Sequence, residues 1–288
     1  MQMKIGFADN KNIKDLYGLW KLVFGDSDST VDLFMKRSFS PENTAVCYDG
    51  KKLVSMLFLL PEKIKLGNGI FDAYYIYAAA TEPQYRKRGI MEKLIDFSAE
   101  VCENRKIPFI FLVPANEHLF DYYKKFKFKA CIKQKTLTLT KESILEFTCA
   151  NNKSKFSFEI DKISDIKAKS FKNIDYVLWR KNETELFYEY LKQSGGKAFT
   201  VDSGYTAFEQ FGDAKEIYEF CAEADGIGEL MNTLFDGETT EKYNFNLAVN
   251  FPLVSDSQKT KTIGMVKSVF PENENLIKAD IYTGITLA

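Results

Sequence analysis

The sequence predicts a mixed α/β fold, with helices packed on a mixed sheet, because one order of elements occurs twice along the chain. In each half, three strand-like segments are followed by a helix and a further strand. The repeat is one of order alone, since no run of residue identities accompanies it. The 288 residues suffice for two domains with buried cores. We therefore expect domains over residues 1–150 and 151–288, which meet at the polar segment 149–155.

Hydrophobic spacing assigns the elements of the first half. Apolar residues three or four apart predict helices, and alternating or continuous apolar runs between turn residues predict strands. The helices are predicted over 15–24, 30–39, 89–102 and 117–126. The strands are predicted over 44–48, 52–60, 70–80, 107–113 and 130–140. Asp49-Gly50 predicts a hairpin between the first two strands, because it tolerates a positive φ. Asp26 and Ser29 supply turn and cap chemistry between the first two helices.

The second half is assigned in the same way. A helical region is predicted over 163–193 and a helix over 226–235. The strands are predicted over 197–201, 205–211, 216–221, 243–250, 263–270 and 281–287. The order within 197–250 matches that of the first half and gives the repeat.

Composition limits the functional classes. Hydrophobic residues make up 45% of the chain and charged residues 27%, as in soluble globular proteins. The N-terminal segment lacks the basic start and apolar core of a signal peptide, and no apolar stretch reaches the roughly 20 residues that cross a bilayer. We expect a cytoplasmic protein without a membrane partner. The net charge of −1 argues against nucleic-acid binding, which usually requires a strong basic bias.

Cysteine and histidine usage argues against a metal site, a disulfide framework and a cysteine nucleophile. The five cysteines are far apart and form no Cys-x-x-Cys pair, and His118 is the single histidine. Zinc sites and cysteine nucleophiles normally need closely placed Cys and His. The sequence therefore predicts chemistry without a metal.

The two halves differ in charge, since the first is net basic and the second net acidic. A bound anion on the first half would fit this difference, and so would ordinary variation in surface charge. The acidic second half would suit a cationic amine, although solubility explains it equally well.

The segment 84–91, QYRKRGIM, is a basic turn between an apolar strand and a helix. Unpaired N–H groups and the helix dipole attract anions to a helix start, and Arg86, Lys87 and Arg88 add full charges. Gly89 lets the backbone approach a ligand without a Cβ in the way. The turn is suited to hold a diphosphate, while a solvated basic loop explains the same residues taken alone.

Arg86-x-x-Gly89 resembles the Arg/Gln-x-x-Gly-x-Gly/Ala loop of the GNAT superfamily of N-acetyltransferases, at the same strand-to-helix junction. Further on, FIFLVPANEHLFDYYKKFKF resembles the superfamily's next strand and the helix that ends in a Leu-Tyr-x-x-x-Gly-Phe-like sequence. The details are most similar to bacterial tandem members, among them the enhanced-intracellular-survival type, in which a second, degenerate copy follows the catalytic domain. Two residues depart from the pattern. Met91 replaces the usual small third residue of the loop, and Lys127 replaces the glycine before Phe128.

The resemblance implies tandem GNAT-like domains, with an acetyl-CoA site in the first and a degenerate second domain that shapes the acceptor pocket. Main-chain groups of the strand would line the pantetheine arm, and the basic turn would hold the pyrophosphate. The implied coenzyme-binding residues are Ala79, Ala80, Thr81, Arg86, Lys87, Arg88, Gly89, Ile90 and Met91. A strand N–H near residues 78–80 would stabilise the oxyanion formed on attack. Close packing of a helix on small side chains is the alternative explanation of 78–80.

By the same resemblance, Tyr123 protonates the departing coenzyme A thiolate and is the predicted catalytic residue. A phenol can donate a proton at neutral pH. The alternative is a tyrosine that packs in an aromatic core with Phe120, Phe126 and Phe128. Tyr122 lies on a different helix face and is the second candidate.

Four further groups are considered for the site. Asn116 would bond to the pantetheine arm or cap the next helix, the role that Asn generally prefers. His118 could serve as a base, but a lone histidine in the first turn of a helix is expected to face solvent. No carboxylate can be named as a general base, and an acceptor that arrives as a free amine needs none. In the enhanced-intracellular-survival type the terminal carboxylate enters the site, which would place Ala288 there.

The sequence thus predicts an N-acetyltransferase that moves acetyl from acetyl-CoA to a primary amine of a small molecule or peptide by direct attack. A catalytically inactive coenzyme A-binding or interaction module is one alternative, and a tandem acyltransferase with another acyl donor is the other. Glu223 and Asp225 stand in the second half where basic residues stand in the first, so we expect one coenzyme site. An oligomer is compatible with the sequence.

Overall fold

The computed structural model describes residues 3–147, 157–235, 239–254, 258–278, 280–284 and 286–287. Within those ranges the strands form one mixed sheet of twelve strands, with helices on both faces. The mixed α/β class predicted from the sequence is confirmed. The predicted boundary at 149–155 lies outside the described residues.

The strands are β1 (Met3–Phe7), β2 (Thr44–Asp49), β3 (Lys52–Leu66), β4 (Gly69–Thr81), β5 (Phe109–Leu112), β6 (Lys129–Thr140), β7 (Tyr176–Leu178), β8 (Lys197–Val201), β9 (Gly204–Phe211), β10 (Ala214–Ala222), β11 (Lys242–Leu247) and β12 (Thr260–Ser268). The helices of the described residues are α1 (Ile13–Phe24), α2 (Asp28–Arg37), α3 (Ile90–Arg105), α4 (Glu117–Lys124), α5 (Lys141–Phe147), α6 (Ile163–Ser170), α7 (Lys181–Gln193) and α8 (Ile227–Leu234).

The sheet contains the repeated order of elements. Its strand order is β1-β2-β3-β4-β5-β12-β6-β11-β10-β9-β8, and β7 pairs with β3 outside this path. β2, β3 and β4 form an antiparallel meander, and β5 then runs parallel to β4. β8, β9 and β10 form the same meander, and β11 runs parallel to β10. α3 connects the first parallel pair and α8 the second, which confirms the predicted repeat.

Each half receives its last strand from the other half. β12 lies between β5 and β6 and is antiparallel to both. β6 in turn pairs with β12 over residues 129–135 and with β11 over residues 135–140. The two exchanged strands therefore lie side by side in the interior of the sheet, and main-chain hydrogen bonds join the halves without a break.

Most predicted elements are present, and the differences have physical reasons. Three elements have no counterpart in the sequence prediction, namely β1, α5 and β7, which are all short. The predicted strand over 281–287 is wrong, because its described part makes only isolated bridges, from Ile281 to Ile132 and from Tyr282 to Tyr176. Ile281 exchanges main-chain hydrogen bonds with Cys131 and Lys133, and Tyr282 with Asp175 and Val177, which makes one bridge on each side and no ladder.

β3 extends to Leu66, well beyond its predicted end at residue 60, although Pro61 lies in its path. The last pair between β2 and β3 joins Thr44 and Phe58. From there until β7 begins to pair at Lys63, β3 has a neighbour on one side only. Strands tolerate proline at such an open edge, because no ladder hydrogen bond is lost there.

Helices cover both faces of the first-half sheet. α1, α2 and α7 pack on one face, where Trp20, Phe34 and Phe58 form an aromatic core. α3 and α4 pack on the opposite face, over Leu57 and Leu59. Successive β3 residues thus point into different cores, as expected of a strand that is buried on both sides. A third core lies in the second half, beneath α6 and α8.

The connection between α1 and α2 differs from its predicted chemistry. Ser27, rather than the predicted Ser29, caps α2. Gly25 ends α1 in the left-handed conformation, with φ 76°. Asp26 accepts a hydrogen bond from Trp20 Nε1 at 2.7 Å. The turn therefore holds a carboxylate against the aromatic core.

α7 follows the first half in sequence but packs on α2. Arg37 donates to Glu185 at 2.7 Å and also pairs with Glu189. The Tyr190 hydroxyl donates to the main-chain oxygen of Thr30 at 3.0 Å. These contacts fix α7 over the first-half sheet, so the second half supplies part of that face.

The second half contains a buried ion pair between Lys167 of α6 and Glu219 of β10. The two side chains are 2.7 Å apart and only 4% and 0% exposed. Gly284 lies against the pair. Its φ of 63° favours glycine, and a Cβ there would collide with the Glu219 carboxylate. Burying two charges requires a large desolvation free energy, which the mutual attraction of the pair offsets.

Replacing Lys167 alone by Met should destabilise the fold by about 3–5 kcal/mol, because the Glu219 charge would remain buried without a partner. The double variant Lys167→Met, Glu219→Leu should recover most of that loss, since two apolar side chains then fill the site. Denaturant unfolding of the wild type, both single variants and the double variant measures these changes. Equal destabilisation by the single and double variants would contradict this account.

Candidate active site

β4 and β5 separate after three paired residues, which opens the sheet. Their parallel pairing ends where Tyr75 lies opposite Phe111, and the two rings stack there at 5.0 Å. β4 continues to Thr81, whereas β5 ends at Leu112. We call this opening the crevice, with residues 76–81 of β4 as one wall.

A β-bulge lies on this wall of the crevice. Phe58 of β3 pairs with Tyr77 and Met56 pairs with Ala80, so the two residues between face a single β3 residue. Ala78 has a φ of 45°, which is uncommon outside glycine. A bulge leaves a residue outside the ladder and increases the local twist. Main-chain groups on the wall are thereby presented to the crevice.

Side chains fix the end of the wall. The Ser55 hydroxyl donates to the main-chain oxygen of Ala80 at 2.8 Å and lies 2.8 Å from the Thr81 hydroxyl. The predicted residues Ala79, Ala80 and Thr81 all lie on the crevice wall, with Ala80 buried and the other two partly exposed. Because these side chains are small, main-chain atoms make up much of this surface.

The basic turn leads from the wall to α3. Lys87 and Gly89 are both left-handed, with φ 60° and 70°. Such alternation is typical of main-chain nests that bind anions. α3 begins at Ile90, and no side chain caps it. Its first N–H groups are therefore unpaired at the positive end of the helix dipole. A Cβ added at Gly89 would not collide with any neighbour. The positive φ alone therefore explains why glycine occupies this position.

The two arginines of the turn make structural contacts. Arg86 Nε donates to the main-chain oxygen of Thr81 at 3.1 Å. The Arg88 guanidinium lies 5.1 Å from the centre of the Tyr85 ring, whose hydroxyl donates to Asp49 at 3.2 Å. Both arginines thus hold the turn on the strand end as well as supplying charge. Lys87, which is exposed, has no such contact within the described residues.

Tyr123 has a packing role at the end of α4. The Phe128 N–H bonds to the Tyr123 oxygen at 3.4 Å, and the Lys127 N–H bonds to the Lys124 oxygen at 3.0 Å. These are the two hydrogen bonds of a Schellman helix end, and Lys127 takes its left-handed position with φ 67°. The Tyr123 and Phe128 rings pack at 5.8 Å, as the motif favours. The alternative interpretation of Tyr123 as an aromatic core residue is therefore correct as far as its ring is concerned.

Burial affects the acidity of the Tyr123 hydroxyl. Burial, with a smaller contribution from Tyr122, raises the pKa of Tyr123 to about 12. Burial, followed by the charge of Tyr123, also raises the pKa of Tyr75, which lies at the base of the crevice. The hydroxyl of Tyr123 has no hydrogen-bond partner among the described residues. The phenol is protonated at neutral pH and available to another group.

Asn116 and His118 begin α4. Asn116 occupies the N-cap position, but its side chain makes no capping hydrogen bond, so the predicted capping role is wrong. The chain arrives there extended, with φ −155° and ψ 167°, and the exposed amide is left without a main-chain partner. His118 is exposed, as predicted.

Residues 4–131 match the family model of the acetyltransferase (GNAT) domain. This part of the chain is a GNAT domain. The match contains β1 to β5, the crevice, the basic turn and α4, and the family assigns the chain to the acyltransferases. No curated protein sequence matches the chain.

Solved structures of similar fold span both halves. A GCN5-related N-acetyltransferase from Kribbella flavida has a TM-score of 0.77 at 12% identity, over 93% of this chain and 71% of that one. One from Anabaena variabilis ATCC 29413 has a TM-score of 0.74 at 17% identity, over 93% and 73%. Eis1 from Mycobacterium abscessus has a TM-score of 0.71 at 11% identity, over 93% and 74%. At these identities the likeness concerns the fold.

The second half repeats the parting of the strands but differs in the side chains that follow it. β10 and β11 stop pairing where Ile217 lies opposite Phe245, and the register of β10 then shifts. Glu219, paired with Lys167, comes directly after that shift. The GNAT domain has alanines after its own bulge, so a buried ion pair stands in the second half where the first has small side chains.

The start of α8 is also closed. The main-chain oxygen of Ser203 accepts a hydrogen bond from the Glu223 N–H at 2.9 Å. A Cβ on Gly226 would lie only 2.7 Å from the same oxygen. The turn between β8 and β9 therefore covers the helix start, which is open in the GNAT domain. Asp225 beside it is exposed and would repel an anion.

The segment after residue 280 returns to the GNAT domain. The Tyr75 hydroxyl donates to the main-chain oxygen of Leu287 at 2.9 Å, and Leu287 is 3% exposed. The segment thus packs at the base of the crevice. Ala288, whose carboxylate the resemblance placed in the site, lies outside the described residues.

A cavity of about 480 Å³ lies beside α3, between α4 and β12. Glu92 and Asp96 of α3 line one side, and Lys125 and Lys267 line the other. Glu92 belongs to the first turn of α3, so the cavity begins next to the basic turn.

Two classes of feature are absent from the described ranges. No three His, Cys, Asp or Glu side chains are placed there to hold a metal ion. None of the helices in those ranges is long and apolar enough to cross a membrane.

Sequence reasoning missed that three polar side chains border the core beneath α1, α2 and α7, namely Asp26, Tyr77 and Tyr190. They come from the α1–α2 connection, β4 and α7. No local motif links these residues, because only the packing of α7 on α2 brings the third to the other two. The abundance of tyrosine in β4 was the one available signal.

Lys127→Gly should raise the free energy of unfolding by about 1 kcal/mol, because glycine adopts the left-handed conformation at the end of α4 without steric cost. Lys125→Gly is the matched control. Its φ is −60°, so the same change there should lower stability by roughly 0.5–1 kcal/mol. Thermal and denaturant unfolding test both variants, and a destabilised Lys127→Gly would refute the strain assigned to Lys127.

Proposed function

We propose that the GNAT domain transfers acetyl from acetyl-CoA to a primary amine of a small molecule or peptide, and that the second half shapes the acceptor side. The crevice carries this proposal, because its bulged wall adjoins an open helix start. A pantetheine arm needs a strand wall with unpaired main-chain groups, and a diphosphate needs unpaired N–H groups. We place the reaction in the cytoplasm on composition alone.

The coenzyme would lie along β4 and the start of α3. The main chain of Ala79, Ala80 and Thr81 would bond to the pantetheine amides, as an added strand would. Lys87 and the main chain of 88–91 would hold the diphosphate, and Arg86 and Arg88 would keep the turn in shape while adding charge. The cavity beside α3 provides room for the nucleotide end.

The reaction would need one attack and one protonation. The neutral amine nitrogen attacks the thioester carbonyl carbon, and an N–H on the bulged wall stabilises the oxyanion. The C–S bond then breaks, the sulfur takes the Tyr123 proton, and the nitrogen loses its extra proton to solvent. That proton replaces the one given by Tyr123, so no metal or redox partner is needed.

Burial affects the acid and the leaving group alike. It raises the pKa of Cys102, a thiol in the same core as Tyr123, to about 12. Partial burial of a released thiolate would likewise disfavour its charged form, so that it would take a proton from Tyr123 more readily than in water.

One coenzyme site is proposed, in the GNAT domain. In the second half a buried Lys167–Glu219 pair follows the parting of the strands, and the start of α8 is covered at Ser203. The second half instead contributes α7 to the face of the sheet on which α1 and α2 also pack. This supports the proposed role of the second half on the acceptor side.

Calorimetric titration with acetyl-CoA tests the proposal directly. The wild type should bind in the micromolar range, and Lys87→Glu should bind about tenfold more weakly, because one phosphate contact is lost. Lys192→Glu makes the same charge change on an exposed helix end in the second half and should bind as the wild type does. Absence of binding by folded wild type would reject the proposal in favour of an interaction module. A preference for a longer acyl-CoA would favour another acyl donor.

Tyr123→Phe should lower kcat about 100-fold with little change in acetyl-CoA binding, because the proton donor is lost while the ring contact with Phe128 is kept. Tyr122→Phe is the matched control and should retain activity. Since the pKa of Tyr123 is raised to about 12, its ionisation should not reduce kcat between pH of about 8 and 10. Wild-type turnover by Tyr123→Phe would show that Tyr123 serves packing alone.

A further inference from the structure

Three aromatic rings lie at the base of the crevice, and we call them the three-ring cluster. Tyr75 of β4 and Phe111 of β5 stack at 5.0 Å, at the last paired position of the two strands. Trp179, which lies between β7 and α7, packs edge-on at 5.2 Å from Tyr75 and 5.7 Å from Phe111. Tyr75 and Phe111 are both buried. The crevice therefore ends on closely packed rings, one of which comes from the second half.

Two hydrogen bonds hold the three-ring cluster in place. The Tyr75 hydroxyl donates to the main-chain oxygen of Leu287 at 2.9 Å, and Trp179 Nε1 donates to that of Thr283 at 3.0 Å. Both acceptors belong to the segment after residue 280 and are buried. A ring whose polar edge is bonded in this way cannot turn aside without leaving a polar group unpaired, which is unfavourable. The cluster is therefore a fixed wall of the crevice.

The acyl end of a donor bound as proposed would point toward the three-ring cluster. In the proposed function the diphosphate lies at the start of α3 and the pantetheine arm lies along residues 79–81. The acyl group then lies at the other end of the arm, beside the bulge at Ala78. Three residues separate Ala78 from Tyr75, which corresponds to roughly 10 Å of extended strand. This length is the upper limit on the depth that an acyl chain can reach.

The three-ring cluster belongs to a packed core, which resists the entry of a longer chain. Tyr75 and Phe111 share the core beneath α1, α2 and α7 with the fully buried side chains of Val177, Leu186 and Ile281. Protein cores are packed as densely as organic crystals and have low compressibility. Extra methylenes forced into such a core displace side chains and destabilise the fold. A short acyl group avoids this penalty, whereas a medium-length chain does not.

We infer that the three-ring cluster limits the length of the donor's acyl chain, so that acetyl and similarly short groups are accepted and medium-length chains are excluded. This inference rests on the proposed function. Phe111 is the central specificity-determining residue, because it packs against both other rings. Trp179 belongs to the second half, and its hydrogen-bond partner Thr283 lies near the end of the chain. The second half therefore takes part in the selection of the donor as well as in shaping the acceptor side.

The test compares coenzyme A, acetyl-CoA and octanoyl-CoA in calorimetric titrations. Wild type should bind the first two with similar affinity and octanoyl-CoA about tenfold more weakly, because the longer chain meets the three-ring cluster. Phe111→Leu keeps an apolar side chain but removes the ring, and it should abolish most of that difference. Phe109→Leu is the matched control, since Phe109 lies two residues earlier on the same face of β5, is equally buried and packs on Phe71 instead. It should keep the wild-type difference.

A second variant, Trp179→Phe, makes a smaller change at a partly exposed ring and removes the donor to Thr283. It should weaken the discrimination against octanoyl-CoA as well, and circular dichroism checks that each variant is folded.

The outcomes separate this inference from the proposed function. Equal binding of acetyl-CoA and octanoyl-CoA by wild type would overturn the inference and leave the coenzyme site intact. Unchanged discrimination in both Phe111→Leu and Trp179→Phe, or an equal loss in Phe109→Leu, would overturn it in the same way. Failure of folded wild type to bind any of the three ligands would reject the coenzyme site itself, and the inference with it.

Discussion

The short pairing between β4 and β5 is the constraint on which the arrangement of the site depends. β5 pairs with β4 at three positions and with β12 along its other edge. It is therefore held on both edges, and the open stretch lies on β4, whose residues 76–81 extend beyond the pairing. The bulge turns the wall of β4 outward, and Tyr75 and Phe111 close the base by stacking. The basic turn and the start of α3 follow directly from the end of that wall.

The strand exchange explains why the two halves behave as one structure. β12 pairs with the edge of β5 that faces away from β4. In the same way, β6 pairs with the edge of β11 that faces away from β10. The main-chain hydrogen bonds between β6 and β12 continue the sheet across the middle. The two domains expected over residues 1–150 and 151–288 remain a prediction. In space, the GNAT domain uses a strand and a helix that come much later in the chain.

Local features of the site could be predicted from sequence, whereas long-range ones could not. The basic turn, α3 and the position of Tyr123 follow from residues that are neighbours in the chain, so spacing and resemblance identify them. The insertion of β12 and the contact of Tyr190 with Thr30 depend on packing between distant segments. The extension of β3 past Pro61 depends on whether a neighbouring strand is present at that point, which the local sequence does not show. Asn116 lies at the expected N-cap position, yet its side chain makes no capping hydrogen bond.

The exchanged strand β12 also determines the order in which parts of the molecule can fold. During synthesis the N-terminal segment emerges first, with β4, the basic turn and α3 already available to fold. β5 then has to wait for an edge partner that is among the last strands to be made. Contacts of such sequence separation form slowly and leave apolar surface exposed meanwhile. Completion of the crevice is thus coupled to completion of nearly the whole chain, and a nascent or truncated product would carry the recognisable turn without a finished catalytic sheet.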